Sequence, residues 1–294
     1  MFTQFFGNYL LNEKLITPEQ LVDGLQEKAN TRLKLGILAI NSGYMTSDQV
    51  DRVHEMQTRI DKRFGDISIE LGYMTEDQVN ELLKAQQLGY LLLGQALVDK
   101  SYLSNSDFES AISCYKDKYS LTDEDIEIAK NEKISEMIDA FFSIQGENKS
   151  LYSDYIELLI NNLVRFIGDD FTILDPVNFE DPNKNLYKVT QDIEGKEFNA
   201  YTSLFGSQAV IIEFASRFIQ EPLIEINDYT EAATCDFLNL HNGLFTVNTS
   251  NEKGIELKLT PPFFSKNRVD IENKEILVLP VFFTFGTVNF LITL

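Results

Sequence analysis

Cysteine, histidine and positive charge are all scarce in this chain, and each scarcity excludes something. The two cysteines, Cys114 and Cys235, stand far apart and match no metal-ligand spacing, so neither a disulfide framework nor a zinc site is expected. Free thiols suit a reducing compartment. The two histidines are no better placed: His241 has no metal-spaced partner, and His54 reads as a partly buried side chain. Lys and Arg number 25 against 46 Asp and Glu, a formal charge of −21. Phosphate backbones and anionic membranes are bound by clustered cations, so neither a nucleic acid nor a membrane surface is expected as partner. One small anion held by a few local cations remains compatible with that balance. No uninterrupted apolar run spans a bilayer. The most apolar stretch, ILVLPVFFTFGTVNFLITL, is interrupted by Pro280, Gly286, Asn289 and its threonines, and reads as a buried β-hairpin turning near Gly286. The opening MFTQFFGNYLL has no basic region or small-residue cleavage site, so no signal peptide is read and a cytoplasmic protein is expected.

What the chain does have is a repeat. Four copies of one pattern begin at Phe5, Lys34, Arg63 and Leu92, each 29 residues after the last (34−5, 63−34, 92−63). A fixed period marks a supersecondary unit expected to stack on its neighbour. Each copy carries a glycine at its third position (Gly7, Gly36, Gly65, Gly94) and a Thr or Ser ahead of a helical pattern (Thr17, Thr46, Thr75, Ser104). Gln20, Gln49, Gln78 and Asp107 follow three residues after those caps, which is capping-box spacing. Pro18 sits at the first helical position, where its missing N–H costs nothing. The unit therefore reads as short helix, turn, longer helix.

The expected fold class is two domains: an all-α helical repeat domain followed by an α+β domain with an antiparallel sheet. Residues 1–118 form the first, 119–148 a connecting helix and linker around Ile126–Phe142, and 149–294 the second. In the latter, a helix over Tyr152–Phe166 precedes strand-like runs at Phe171–Leu174, Leu186–Ile193 and Glu197–Leu204. Ser207 opens a helix through Ile219, a further helix runs from about Asp228 to Leu244, and the β-rich stretches Gly254–Leu259 and Ile276–Leu294 close the chain.

The four repeats are unequal. Only the second and third open on a cation, carry a glycine at the tenth position and close on glutamine: Lys34-Leu35-Gly36, Gly43 and Gln57, then Arg63-Phe64-Gly65, Gly72 and Gln86. A five-residue spacer, Thr58–Lys62, separates them. This tandem resembles the MshEN domain of type II secretion and pilus ATPases, whose paired motif reads RLGxxLxxxGxhxxxxLxxxLxxQ. The resemblance implies cyclic di-GMP as a regulatory ligand, bound by Lys34, Leu35, Gly36, Gly43, Gln57, Arg63, Phe64, Gly65, Gly72 and Gln86. A cation can pair with phosphate or lie over a guanine, glycine lets backbone approach a flat base, and a glutamine amide can pair with base edges. Lys34 departs from the motif's arginine and lacks its planar fork. Phe64, Ala39, Ser68 and His54 also depart from its apolar positions. A competing reading gives the glycines and leucines to repeat packing alone.

Near the other end, Asp236-x-x-Asn239-x-x-x-Gly243 is followed by Leu259-Thr-Pro261-Pro262. Spacing of three places Asp236 and Asn239 on one helix face. This stretch and the order of elements around it, over about residues 150–294, resemble the CheX branch of the CheC/CheX/FliY chemotaxis phosphatases. That family carries Glu-x-x-Asn-x-x-x-Gly-Asn on a helix. The resemblance implies a phosphorylated CheY-type response regulator as partner and Asp236 and Asn239 as catalytic residues, the acid reaching the regulator's lysine and the amide holding water. It implies no cofactor on this chain, since Mg²⁺ belongs to the regulator, and it implies a homodimer. Asp236 stands where the family has Glu, and Leu244 where it continues with Asn. A non-catalytic adaptor and a secretion or motility accessory protein are the alternative readings.

Overall fold

The computed structural model describes residues 2–84, 88–122, 131–142, 148–177, 186–196, 198–266 and 276–293. The chain divides into two units, Phe2–Lys133 and Ile134–Leu294. The division falls inside the segment read from sequence as a connection, part of which lies outside the described residues.

The first unit is helical: α1 (Phe2–Asn12), α2 (Pro18–Lys28), α3 (Leu35–Asn41), α4 (Ser47–Gln57), α5 (Phe64–Glu70), α6 (Glu76–Leu82), α7 (Gly89–Asp99) and α8 (Asn105–Lys118). The period is written into the backbone at three points. Thr17, Thr46, Thr75 and Ser104 each make a complete capping box with Gln20, Gln49, Gln78 and Asp107. Removing such a cap costs about 1 kcal/mol. Three residues before each cap the chain turns through positive φ, at Lys14 (57°), Gly43 (66°), Gly72 (71°) and Ser101 (59°). A Cβ on Gly36, Gly65 or Gly94 would lie 2.9, 3.0 or 2.2 Å from Val50, Val79 or Phe108, in each case fourteen residues on (50−36, 79−65, 108−94). The short helix of a repeat thus seats its glycine against the longer helix of the same repeat.

The repeats do not all stack in sequence order: the second packs on the third as expected, but the first packs on the fourth. Helix α2 packs chiefly on α7, and α1 on α7 and α8, so the first repeat lies against the fourth. The second repeat packs on the third through α4 with α5 and α3 with α6, and on the fourth through α4 with α8. Gly24 permits the first of these pairings: a Cβ there would sit 2.8 Å from Leu97 and 3.3 Å from Leu93. The corresponding positions of the other repeats are Val53, Leu82 and Ala111. The bare position at Gly24 thus lets the first repeat approach the fourth closely.

The second unit combines, among the described residues, α9 (Asn131–Phe142, from Ile134 onward), α10 (Lys149–Phe166), α11 (Gln208–Ile219) and α12 (Asp228–Lys253) with seven strands. These are β1 (Phe171–Ile173), β2 (Leu186–Gly195), β3 (Ala200–Ser207), β4 (Leu257–Leu259), β5 (Phe263–Lys266), β6 (Ile276–Phe283) and β7 (Gly286–Thr293). All pairings are antiparallel in the order β1-β6-β7-β3-β2-β4, with β5 also on β2. The hairpin β6–β7 turns at Gly286, whose φ of 127° excludes most side chains. Helices α11 and α12 pack on each other and on the sheet, and α10 packs on α12. Phe237 of α12 meets Phe214 of α11 and Phe290 of β7 at ring separations of 4.9 and 6.2 Å. Beneath β1, Asp170 pairs with Arg217 at 2.6 Å and accepts from Thr284. Burial opposes ionisation of Asp170, but Arg217 and Thr284 outweigh it and hold the carboxyl below its usual range.

Two expectations change here. Helix α12 runs nine residues past Leu244, to Lys253, and is capped by Gly254, the residue with φ 70°. Gly243 lies in the helix interior. Strand β5, just after the proline pair, has no counterpart in the sequence reading.

Candidate functional site

Helix α12 buries one face and exposes the other. Thr230, Ala233, Thr234, Phe237, Leu238, His241, Asn242, Phe245 and Thr249 point inward at spacings of three and four. Asp236 and Asn239 are exposed, as are Tyr229, Leu244 and Val247, with Gly243 partly so. A Cβ on Gly243 would meet nothing within 4 Å, so no packing inside the described residues calls for glycine there.

Asp236 makes no hydrogen bond or ion pair with the described residues, whereas Asn239 is held from below. Its Oδ1 accepts from Gln191 Nε2 at 2.8 Å. Gln191, on β2, also donates to the backbone carbonyl of Thr260 at 2.8 Å, and its Oε1 accepts from Asn242 Nδ2 at 2.8 Å. Asn242 donates in addition to Thr202 Oγ1 at 2.9 Å and accepts at Oδ1 from the Tyr155 hydroxyl at 3.0 Å. Thr202 in turn donates to the Gln191 carbonyl at 2.7 Å. Gln191, Asn242, Thr202 and Tyr155 are all buried, so each of these bonds satisfies a group that would be costly to leave alone. Residue Thr260 is itself locked to β2, donating to the Asp192 carbonyl and accepting from the Asp192 amide. The network therefore brings the two halves of the C-terminal motif together, the helix with Asp236 and Asn239 and the segment Leu259–Pro262.

Two neighbouring groups take no direct part. Burial, followed by the nearby charges of Asp236 and Glu231, raises the Cys235 thiol to about 11, which leaves it protonated and a poor nucleophile. His241 is fully buried, with Nδ1 3.1 Å from Asn162 Nδ2 and its ring against Tyr155 at 4.4 Å. Burial alone lowers its pKa to about 3, so it stays neutral and cannot shuttle a proton. Among the described residues no group of three His, Cys, Asp or Glu is placed to hold a metal, and no helix is long and apolar enough to cross a membrane.

Sequence reasoning found Asp236 and Asn239 but missed Gln191, Asn242 and Tyr155. A signal existed for the first two. Gln191 occupies an inward position of the alternation Val189, Gln191, Ile193, and Asn242 falls on the apolar stripe of α12. Each is a polar residue at a core position, which requires a partner.

In the first unit most of the described candidate ligand residues already have local contacts. Lys34 and Arg63 precede α3 and α5 as N-terminal caps without side-chain cap bonds. Lys34 pairs with Asp99 at 2.6 Å, and its backbone N–H donates to Gln95. Arg63 is exposed and unpartnered among the described residues. Leu35 packs at Gly65 and Phe64 at Gly36. The ring of Phe64 lies 5.3 Å from that of His54, whose Nε2 also comes near Gly36; the partial burial lowers the pKa of the imidazole. Gln57 donates to the Lys62 carbonyl at 3.3 Å. Gly36 and Gly65 serve the helix contact within each repeat, while Gly43 and Gly72 serve the turn; Gln86 lies outside the described residues.

No family model matches the chain, and no curated protein does. Solved structures that it is similar to include a CheC-like superfamily protein from Shewanella sp. PV-4, with 15% identity over 51% of this chain and 98% of that one, at a TM-score of 0.43. CheX from Vibrio vulnificus matches at 13% identity over 49% of this chain and 98% of that one, TM-score 0.43. CheX from Borrelia burgdorferi, solved in complex with CheY, BeF3 and Mg²⁺, matches at 14% identity over 49% of this chain and 96% of that one, TM-score 0.42. Structures of CheC and CheX type thus match about half of the chain.

Proposed function

We propose that the unit Ile134–Leu294 docks a CheY-type response regulator on the outward face of α12 and hydrolyses its aspartyl phosphate. The observation that carries this reading is the pair Asp236 and Asn239, side by side on an exposed helix face, with the amide alone anchored from beneath. In the reaction a water attacks phosphorus in line. The bond from phosphorus to the aspartyl oxygen breaks, and inorganic phosphate and a free carboxylate leave. The regulator brings its own Mg²⁺ and lysine, so this chain has only to orient water and complete the charge arrangement. Asn239 supplies the amide at the reacting group. Asp236, acceptor-only and exposed, faces the regulator's ammonium group. Tyr229, Leu244 and Val247 flank the pair with apolar surface, and Gly243 leaves room for approach.

Decay of a regulator charged with acetyl phosphate tests this directly. The full chain should accelerate decay, and Asn239→Ala should remove the acceleration while leaving the fold intact. Misplacing a reacting group by about 1 Å costs on the order of 100-fold. Because Asp236 is exposed and unpartnered, Asp236→Glu should be accommodated and should raise the rate. Equal decay rates for wild type and Asn239→Ala would remove the phosphatase reading and leave an adaptor.

For the unit Phe2–Lys133, the proposal is regulation by cyclic di-GMP at the second and third repeats. Arg63 supports it as an exposed cation with no partner among the described residues. Calorimetry with cyclic di-GMP should give binding that Arg63→Ala abolishes. Binding heats unchanged by that substitution, or absent from wild type, would sink the claim.

A further inference from the structure

The hydrogen bonds beneath Asn239 have a direction, and it is fixed by a group that cannot be reversed. The Thr260 backbone carbonyl only accepts, so the Gln191 group facing it at 2.8 Å must be the NH2. That places Gln191 Oε1 toward Asn242, which must answer with its own NH2, and leaves Asn242 Oδ1 to accept from Tyr155. The second N–H of Gln191 then faces Asn239, whose near atom must be the oxygen. Amide orientations are ordinarily inferred one at a time. Here a single backbone carbonyl dictates three in succession.

We infer that Gln191 is a positioning residue that holds the Asn239 amide with its NH2 turned outward. This rests on the reading of Asn239 as the residue that acts on a phosphorylated partner. The consequence is chemical. The outward group is a donor, suited to a phosphoryl oxygen or to the oxygen of a bound water. The tethered Oδ1 keeps one lone pair to accept from a water beside it. Reversing the amide would turn an acceptor toward anionic phosphate, which is repulsive. Gln191 and Asn242 are 2% and 0% exposed, so this orientation is set before any partner arrives and needs no reorganisation during reaction.

Gln191→Leu removes the donor to Asn239 while keeping an apolar side chain under the helix. With the full chain and an acetyl-phosphate-charged regulator, the turnover rate should fall on the order of 10-fold or more. Affinity for the same regulator activated with BeF3 should stay unchanged. In an Asn239→Ala background, the same substitution should cause no further loss, an outcome that a merely structural role would not produce. Additive losses in the double variant, or unchanged turnover in Gln191→Leu, would overturn the inference. A wild type with no phosphatase activity would instead refute the functional reading, and the orientation would then be judged by NMR of the side-chain amides. Gln191→Leu should shift the Asn239 NH2 resonances toward those of a freely rotating, solvated side-chain amide. Identical Asn239 signals in wild type and variant overturn it. Gln191→Met gives a second test if Gln191→Leu unfolds: its thioether cannot donate, so the Asn239 amide loses its tether and turnover should fall with docking retained. Retained turnover in that variant also overturns the inference.

Discussion

Gly243 offers a perturbation whose two effects have opposite sign. It lies in the interior of a 26-residue helix with nothing within 4 Å of the place its Cβ would occupy. Gly243→Ala therefore adds no clash and removes backbone freedom from the unfolded chain, which stabilises a helix interior by roughly 0.5–1 kcal/mol. For a unit of this size, that raises Tm by about 1–4 °C. The same methyl stands on the exposed face between Asp236 and Val247, where the partner is proposed to come close. Calorimetry of the full chain reads the first effect, and titration with BeF3-activated regulator reads the second. The expected outcome is a higher Tm with weaker docking. A lower Tm would refute the packing argument, and a higher Tm with undiminished affinity would refute the claim that a partner approaches at Gly243.

Gly94→Ala should have the opposite effect on stability, because its Cβ would lie 2.2 Å from buried Phe108; overpacking of this kind costs about 1–3 kcal/mol and appears as a lower denaturant midpoint. Gly72→Ala, at φ 71°, should lose about 1–2 kcal/mol through backbone strain alone, while Ser101→Gly at the equivalent turn should raise the denaturant midpoint. Buried His241 gives a pH dependence whose sign follows from its pKa of about 3, well below the 6.5 of a free imidazole. The unfolded chain takes up the extra proton first, so this stabilisation is complete above pH 6.5 and is lost as the pH falls toward about 3. The slope is at most about 1.4 kcal/mol per pH unit. Denaturation of His241→Gln between pH 7 and 5 should show a flatter profile, and an unchanged slope would assign the effect elsewhere.

What could be read from the sequence was local. Capping boxes at Thr17, Thr46, Thr75 and Ser104 depend on residues three apart, and the Gly286 turn depends on one backbone angle. Asp236 and Asn239 were visible because the motif and the order of elements around it resemble a known family, and a spacing of three puts the two on one helix face. The parts that escaped depend on tertiary neighbours. The end of α12 was placed at about Leu244 because the stripe that continues through Phe245 and Thr249 to Lys253 shows only when those residues are seen to be buried. Gln191 and Asn242 look like ordinary polar residues until strand and helix are placed face to face. In the repeats, Gly36 and Gly43 resemble ligand glycines because packing, turn geometry and ligand approach all favour the same residue. Only coordinates assign Gly36 to Val50 and Gly43 to a left-handed turn.

The docking of the first repeat on the fourth has a consequence for how the chain emerges from the ribosome. In an open array, each new repeat finds its partner already made, and terminal truncation removes one unit's worth of stability. Here α1 and α2 must wait for α7 before their apolar faces are covered. A nascent chain stopped after the third repeat would leave Leu21 and Leu25 without the helix that buries them. The unit should therefore fold late and all at once, and deleting its last repeat should unfold its first.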